Sequence, residues 1–228
     1  MIQNSKSKEM REQPFYTVKS GVSNSFSYGW QIMKEYFVHI LLIVIVVGIA
    51  NGPQSTFKAE NFGFLTIMFG FFALMYSLLF LPVIKYGAQY LYLQAVRGEE
   101  IDYKELINGF FKYTDIIFAN LIAATITVVG FIFFIIPGII CAVRFSFVPY
   151  LVMDKNLDPV KAVEESWRMT RGHSWQIFWM GILSFFIAVG GLICFIVGIF
   201  PALIWIHTSF ATMYQAVLNE ENNQTFLV

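Results

Sequence analysis

The sequence predicts an all-α, polytopic membrane protein: six transmembrane helices arranged as three hairpin units, with short amphipathic interfacial helices and both termini cytoplasmic. Three observations predict it. The 228 residues are 57% hydrophobic and 18% aromatic but only 13% charged, whereas soluble domains carry about 25% charged residues. That leaves too little polar surface to cover a soluble globule, so lipid must solvate much of the molecule. Long stretches carry no formal charge, such as Ser174 to Asn219 with His207 neutral. The basic residues gather in a few short connections.

Taken in order, residues 1–14 are polar and charged and read as a disordered cytoplasmic tail rather than a cleavable signal peptide. In 15–35, Val18, Val22, Phe26 and Trp30 fall at helical spacing, which predicts an interfacial helix, though serine and glycine are abundant there. Residues 36–50 give a first span if it begins slightly earlier, stopped by Asn51-Gly52-Pro53; a polar loop follows to 61. The stretch 62–97, interrupted only by Lys85, reads either as one long helix kinked at Pro82 or as two spans. In 101–113, Ile101, Tyr103, Leu106, Ile107, Phe110 and Phe111 share a helical face, and Asp102 with Glu105 has capping-box spacing. Residues 115–135 cross, Pro137-Gly138 turns the chain, and 138–153 returns. Asp158 and Pro159 suit the N-cap and first residue of a second interfacial helix, 158–171. Its apolar face is Val160, Val163, Trp167 and Thr170; Lys161, Glu164, Glu165, Arg168 and Arg171 form the other. Two more spans fill 174–219, turning at Gly198–Pro201. A short tail, 222–228, ends the chain.

Lysine and arginine placement sets the topology. Lys6, Lys8, Arg11, Lys19 and Lys34 precede the first span; Arg97, Lys104 and Lys112 lie in one connection; Lys155, Lys161, Arg168 and Arg171 lie in another. The remaining surfaces hold only Lys58. Placing the three groups on one side requires 62–97 to cross once, as a long or kinked helix.

Aligning the chain on Pro82, Pro137 and Pro201 exposes an internal repeat: each proline opens a mostly apolar return helix. The membrane domain, 15–221, thus divides into units of about 15–97, 98–153 and 154–221, and interfaces between such repeats often carry ligand sites. Seven residues past the prolines stand Gln89, Arg144 and Thr208, with His207 beside the last; Tyr150 and Tyr214 lie thirteen past. If the return helices pack together, these groups converge on a polar interior. An intramembrane arginine needs a partner, and Asp115 and Glu35 are the candidates. The alternative is that Arg144 snorkels to a head group or bonds backbone carbonyls. Lys85 reaches head groups only if its end of the helix lies near the surface. Trp30, Phe110 and Trp167 are candidate interfacial anchors.

No catalytic or metal-binding pattern is visible: no phosphate loop, HExxH or CxxC. Cys141 and Cys194 sit in apolar runs, and His39, His173 and His207 are far apart. The adjacent pairs Glu99-Glu100 and Glu164-Glu165 point apart on a helix. No metal, cofactor or nucleic-acid partner is expected.

The stretch from Pro137 to Phe178 resembles a signature of bacterial integral-membrane families of unknown function related to the membrane domain attached to some glycerophosphoryl diester phosphodiesterases. The residues that carry it are Pro137-Gly138, Arg144-Phe145-Ser146-Phe147, Tyr150, Asp154, Ala162 to Ser166 and Arg171-Gly172. The resemblance implies the membrane architecture. It does not imply the phosphodiesterase activity, which belongs to a separate soluble barrel. The expectation is therefore a non-catalytic, multi-pass protein of the bacterial cytoplasmic membrane. It would bind or handle an amphiphile or anionic lipid, or support a membrane complex with a membrane-protein partner or a second copy. The alternative is a small secondary transporter or export component with its site at the repeat interface.

Overall fold

The computed structural model describes residues 19–51, 64–193 and 198–225, and every regular element among them is a helix. The expectations for the 1–14 tail, Val18, Lys58, Cys194 and the end of the chain lie outside the described residues. The helices are α1 (Val22–Glu35), α2 (Phe37–Asn51), α3 (Phe64–Leu79), α4 (Leu81–Arg97), α5 (Lys104–Asn108), α6 (Tyr113–Phe133), α7 (Ile135–Arg144), α8 (Val148–Asp154), α9 (Pro159–Met169), α10 (Ser174–Ile193) and α11 (Ile199–Thr225).

Four segments among the described residues are long and apolar enough to cross a membrane: Gly70–Arg97, Tyr113–Phe133, Ile135–Asp154 and Ser174–Ile193. The pair α1 and α2, bent by 97°, is a fifth if counted as one broken span. The sequence predicts six. The difference lies in α1, α2 and α11. The first span does not begin earlier, because the chain turns sharply at Tyr36, whose N–H still donates to the Ile32 carbonyl at 2.9 Å. Helix α11 has the length, but His207, Thr208, Ser209, Thr212 and Gln215 lower its apolarity. It can carry them because it runs through the protein, packed by α1, α10, α4 and α2. Thr208, Ser209, Thr212 and Gln215 are all buried.

The seam between α1 and α11 explains the serine and glycine in 15–35. The buried face of α1 is Ser25, Phe26, Gly29, Ile32 and Met33, while Trp30 is 42% exposed. A Cβ on Gly29 would stand 2.9 Å from the Ser209 backbone nitrogen, so only glycine lets the two backbones approach this closely, as small residues do at membrane helix interfaces. Across the seam Thr208 Oγ1 donates to the Gly29 carbonyl at 3.1 Å and Trp205 Nε1 to the Phe26 carbonyl at 2.8 Å.

The α6–α7 hairpin turns at Phe134, in extended conformation (φ −162°, ψ 154°), three residues before the predicted Pro137-Gly138 turn. Pro137 sits in the first turn of α7, where its missing N–H has no helical partner to lose. Gly138 instead lets α7 close on α6: a Cβ on Gly130 would meet the Gly138 Cα at 3.1 Å. The segment Phe145-Ser146-Phe147, with both phenylalanines buried, separates α7 from α8.

Capping differs in detail from expectation. Helix α9 does begin after Asp158 with Pro159 first, but the Asp158 side chain makes no cap bond and pairs with Lys161 at 3.0 Å. Asp102 and Glu105 form no capping box: Asp102 Oδ1 accepts from the Lys104 N–H, and Glu105 accepts from Asn108. The buried stripe of α9 is Ala162, Val163, Ser166 and Met169, and Val160 is exposed. On its outer face Arg168 donates two hydrogen bonds to Glu165, which hold that carboxyl below its ordinary range.

A chain of polar contacts gathers one end of the bundle. Glu220 accepts from the Ser20 N–H at 2.7 Å and lies 3.0 Å from His173 Nε2. Arg168 reaches Glu221 at 3.2 Å, Lys155 reaches Glu165 at 3.8 Å, and Lys112 Nζ donates to the Met153 carbonyl.

Candidate functional site

Helix α4 carries Lys85 near the middle of the 28-residue segment Gly70–Arg97. At 1.5 Å per residue, Lys85 lies about 18 Å from the Arg97 end and about 22 Å from the other. Gln89 is one turn further on and shares its face. Between α2, α4 and α11 lies a cavity of about 380 Å³ lined by Val44, Val47, Gly48, Asn51, Lys85, Ala88, Gln89, Tyr92, Leu203 and His207. On the other flank of α4 a second cavity, of about 550 Å³, is again lined by Lys85 and Gln89, with Ser77, Asn120, Thr127 and apolar side chains of α3, α6 and α8 around it.

Polar groups here are few and incompletely partnered. Among the described residues Lys85 has no ion pair and no carboxylate lines either cavity. Gln89 Oε1 is buried without a hydrogen-bond partner. Asn51 Nδ2 is occupied by the Val47 carbonyl at 2.7 Å, and Thr127 Oγ1 donates to Ala123. The His207 ring stacks flat on Tyr92, centroids 4.9 Å apart and planes within 5°. The cleft therefore presents one ammonium, one free amide and an imidazole, in walls of valine, leucine, alanine and tyrosine.

Two of the predicted polar residues, Gln89 and His207, meet here. The others lie elsewhere. Thr208 is used at the α1–α11 seam. Tyr150 and Tyr214 stack on each other at 4.9 Å, and the Tyr214 hydroxyl donates to Asp154 at 3.0 Å. Arg144 joins none of them. Its Nη1 donates to the Trp167 carbonyl at 3.3 Å, its Cζ lies 5.1 Å from the centre of the Trp167 ring, and its own carbonyl accepts from Ser166 and Thr170. Asp115 and Glu35 are exposed and do not pair with it. Arg144 can act without a carboxylate because the last carbonyls of α9 and the tryptophan face supply negative potential. Trp167 thus covers Arg144; Trp30 packs edge-on against Trp205 at 4.9 Å, and Phe110 lies beside Phe80.

A second polar cluster was not singled out by sequence. Arg97 Nη1 and Nη2 bind Asp154 at 2.5 and 2.7 Å, and Arg97 Nε donates to Gln215 at 2.7 Å. Gln215 Nε2 donates in turn to Asn219 at 2.9 Å. This cluster joins the C-terminal ends of α4 and α8 to α11. The signal was present: both proline-opened return helices end in a charge, Arg97 fifteen residues past Pro82 and Asp154 seventeen past Pro137. Lys85 is visible too, with Gln89 one helical turn on, but nothing in the sequence puts His207 beside them.

Residues 106–219, half of the chain, match the DUF7847 family, described as a domain of unknown function. No curated protein and no solved structure matches the chain. The match runs from α5 into α11, so it takes in Arg144, Asp154, His207 and Tyr214, whereas Lys85, Gln89 and Arg97 precede it.

Proposed function

The chain belongs to the DUF7847 family, and for this member we propose a non-catalytic role: a multi-pass protein of the bacterial cytoplasmic membrane that binds an anionic amphiphile in the cleft around Lys85. One observation carries this reading. Lys85 stands near the middle of a membrane-length helix, with no anionic partner among the described residues, on the wall of a mostly apolar cleft where its side chain is exposed. A charged side chain at that depth is costly and marks a site by default. A bound anion offsets the cost, and apolar walls suit an acyl chain.

The finer architecture belongs to the same proposal: six spans, with α2 and α11 completing the four apolar segments and both termini cytoplasmic. The contacts among Ser20, His173, Glu220, Arg168 and Lys155 support gathering the basic connections on one side. The three-unit repeat, about 15–97, 98–153 and 154–221, is supported by two likenesses. Pro137 and Pro201 are each the third residue of their helix, and each is followed by a small residue, Gly138 or Ala202, close against a glycine of the preceding helix, Gly130 or Gly191. Tyr150 and Tyr214, at matching positions, stack on each other. The family match adds no link to the phosphodiesterase membrane domain, so that likeness rests on the motif alone.

Native mass spectrometry of the gently extracted protein tests the function. The wild type is expected to retain anionic lipid, Lys85→Met to lose most of it, and Arg144→Ala to keep it. A wild type without lipid, or a Lys85→Met profile equal to wild type, overturns the reading. A second reading, a small secondary transporter, is favoured by the cavities on both flanks of α4 that share Lys85 and Gln89. Cysteine accessibility along α4 separates the two: a lipid binder is labelled from one side or laterally, a transporter from both sides in turn.

A further inference from the structure

We infer that the headgroup taken up at Lys85 and Gln89 is a monoanionic phosphodiester bearing a neutral hydroxyl, as in a glycerol-type phospholipid. The inference rests on the amphiphile-binding reading above and adds the ligand's class. Charge comes first. Lys85 is the only lysine or arginine lining either cavity among the described residues, and no carboxylate lines them. In a low-dielectric site each uncompensated charge is expensive, so one ammonium matches one negative charge. A phosphomonoester dianion leaves a charge over, with His207 neutral. A zwitterionic headgroup brings a second cation beside Lys85.

Hydrogen bonding comes next. Gln89 Oε1 is buried and accepts nothing, and the amide makes no hydrogen bond among the described residues. Burying such an acceptor unpaired is unfavourable, so the ligand that fills the cleft should bring a donor. An ionised fatty acid has none. A simple phosphodiester has none either. A hydroxyl on the alcohol side of the phosphodiester, held one helical turn from the lysine that takes the phosphate, supplies it without adding charge. His207, across the first cavity, offers a further N–H to a phosphate oxygen.

Full-length protein, delipidated in mild detergent, is titrated with short-chain phosphatidylglycerol and with phosphatidylmethanol, which share chains and charge and differ in the hydroxyls. Phosphatidic acid, phosphatidylethanolamine and laurate complete the set. Wild type is expected to bind phosphatidylglycerol tightest, roughly tenfold better than phosphatidylmethanol, the size of one net hydrogen bond. Gln89→Leu should bring those two together by weakening only the first, and Lys85→Met should abolish both. Equal binding of the two phosphodiesters by wild type, a preference that survives in Gln89→Leu, or tighter binding of phosphatidic acid overturns the headgroup assignment while leaving amphiphile binding standing. Binding of none of the five overturns the parent reading itself. Should Gln89→Leu fail to fold, the wild-type comparison of the two phosphodiesters still decides.

Discussion

Arg97 and Asp154 hold each other through two hydrogen bonds at helix ends, with side chains only 15% and 10% exposed. Removing one partner of such a pair leaves the other buried and uncompensated, typically at a cost of roughly 3–5 kcal/mol. Asp154→Ala should therefore lower stability by about that amount in a denaturant titration of the detergent-solubilised protein. Pairing Arg97→Met with Asp154→Leu should recover part of the loss, since it removes both desolvation penalties but leaves the Tyr214 hydroxyl and Gln215 Oε1 without their partners. Arg144 teaches the opposite lesson. Its charge stood out in the sequence, yet it bonds the Trp167 carbonyl and lies over the Trp167 ring, which makes it a brace for α9. Arg144→Ala should raise hydrogen exchange across residues 159–171 and leave bound lipid unchanged. Lys85 shares its helix face with Gln89, but the α2 and α11 walls of its cleft cannot be read from its neighbours in the chain.

Among the elements, α1 and α11 show how small residues decide packing. Gly29 admits no Cβ without displacing the Ser209 backbone, whereas nothing lies within 4 Å of a Cβ at Gly181. Gly29→Ala should lower the melting temperature, and Gly181→Ala should be neutral or raise stability by about 0.5–1 kcal/mol, because alanine suits a helix interior better than glycine. A thermal-shift comparison of the two variants checks this. The 3.6-residue period predicts a helix within residues 15–35, and the structure has one at Val22–Glu35, but the period chose the stripe through Val18, Val22, Phe26 and Trp30. The buried stripe runs instead through Ser25, Phe26, Gly29, Ile32 and Met33. Apolarity orients a helix toward lipid as readily as toward protein, so in this solvent close-packing small residues mark the seam better than large ones.

At the scale of the molecule, the prediction is topological. Single cysteines at Glu99, Glu164 and Asn222 should be labelled from the cytoplasm, and one at Phe134 from the opposite side, in intact cells with a membrane-impermeant reagent. Labelling of Glu99 and Glu164 from opposite sides would sink the one-crossing reading of 62–97. The sequence alone was enough to read the described residues as helical, to pick out several segments long and apolar enough to cross a membrane and to mark where most helices begin and end, because composition, charge gaps and helix-starting residues act locally along the chain. Tertiary structure alone decided which polar residues meet. Gln89 and His207 share a cleft with Lys85, Tyr214 reaches Asp154, and Arg144 goes to Trp167. Those pairings depend on how the helices rotate and cross. In a membrane that is settled by close packing and polar satisfaction between segments far apart in the chain, which periodicity within one segment does not record.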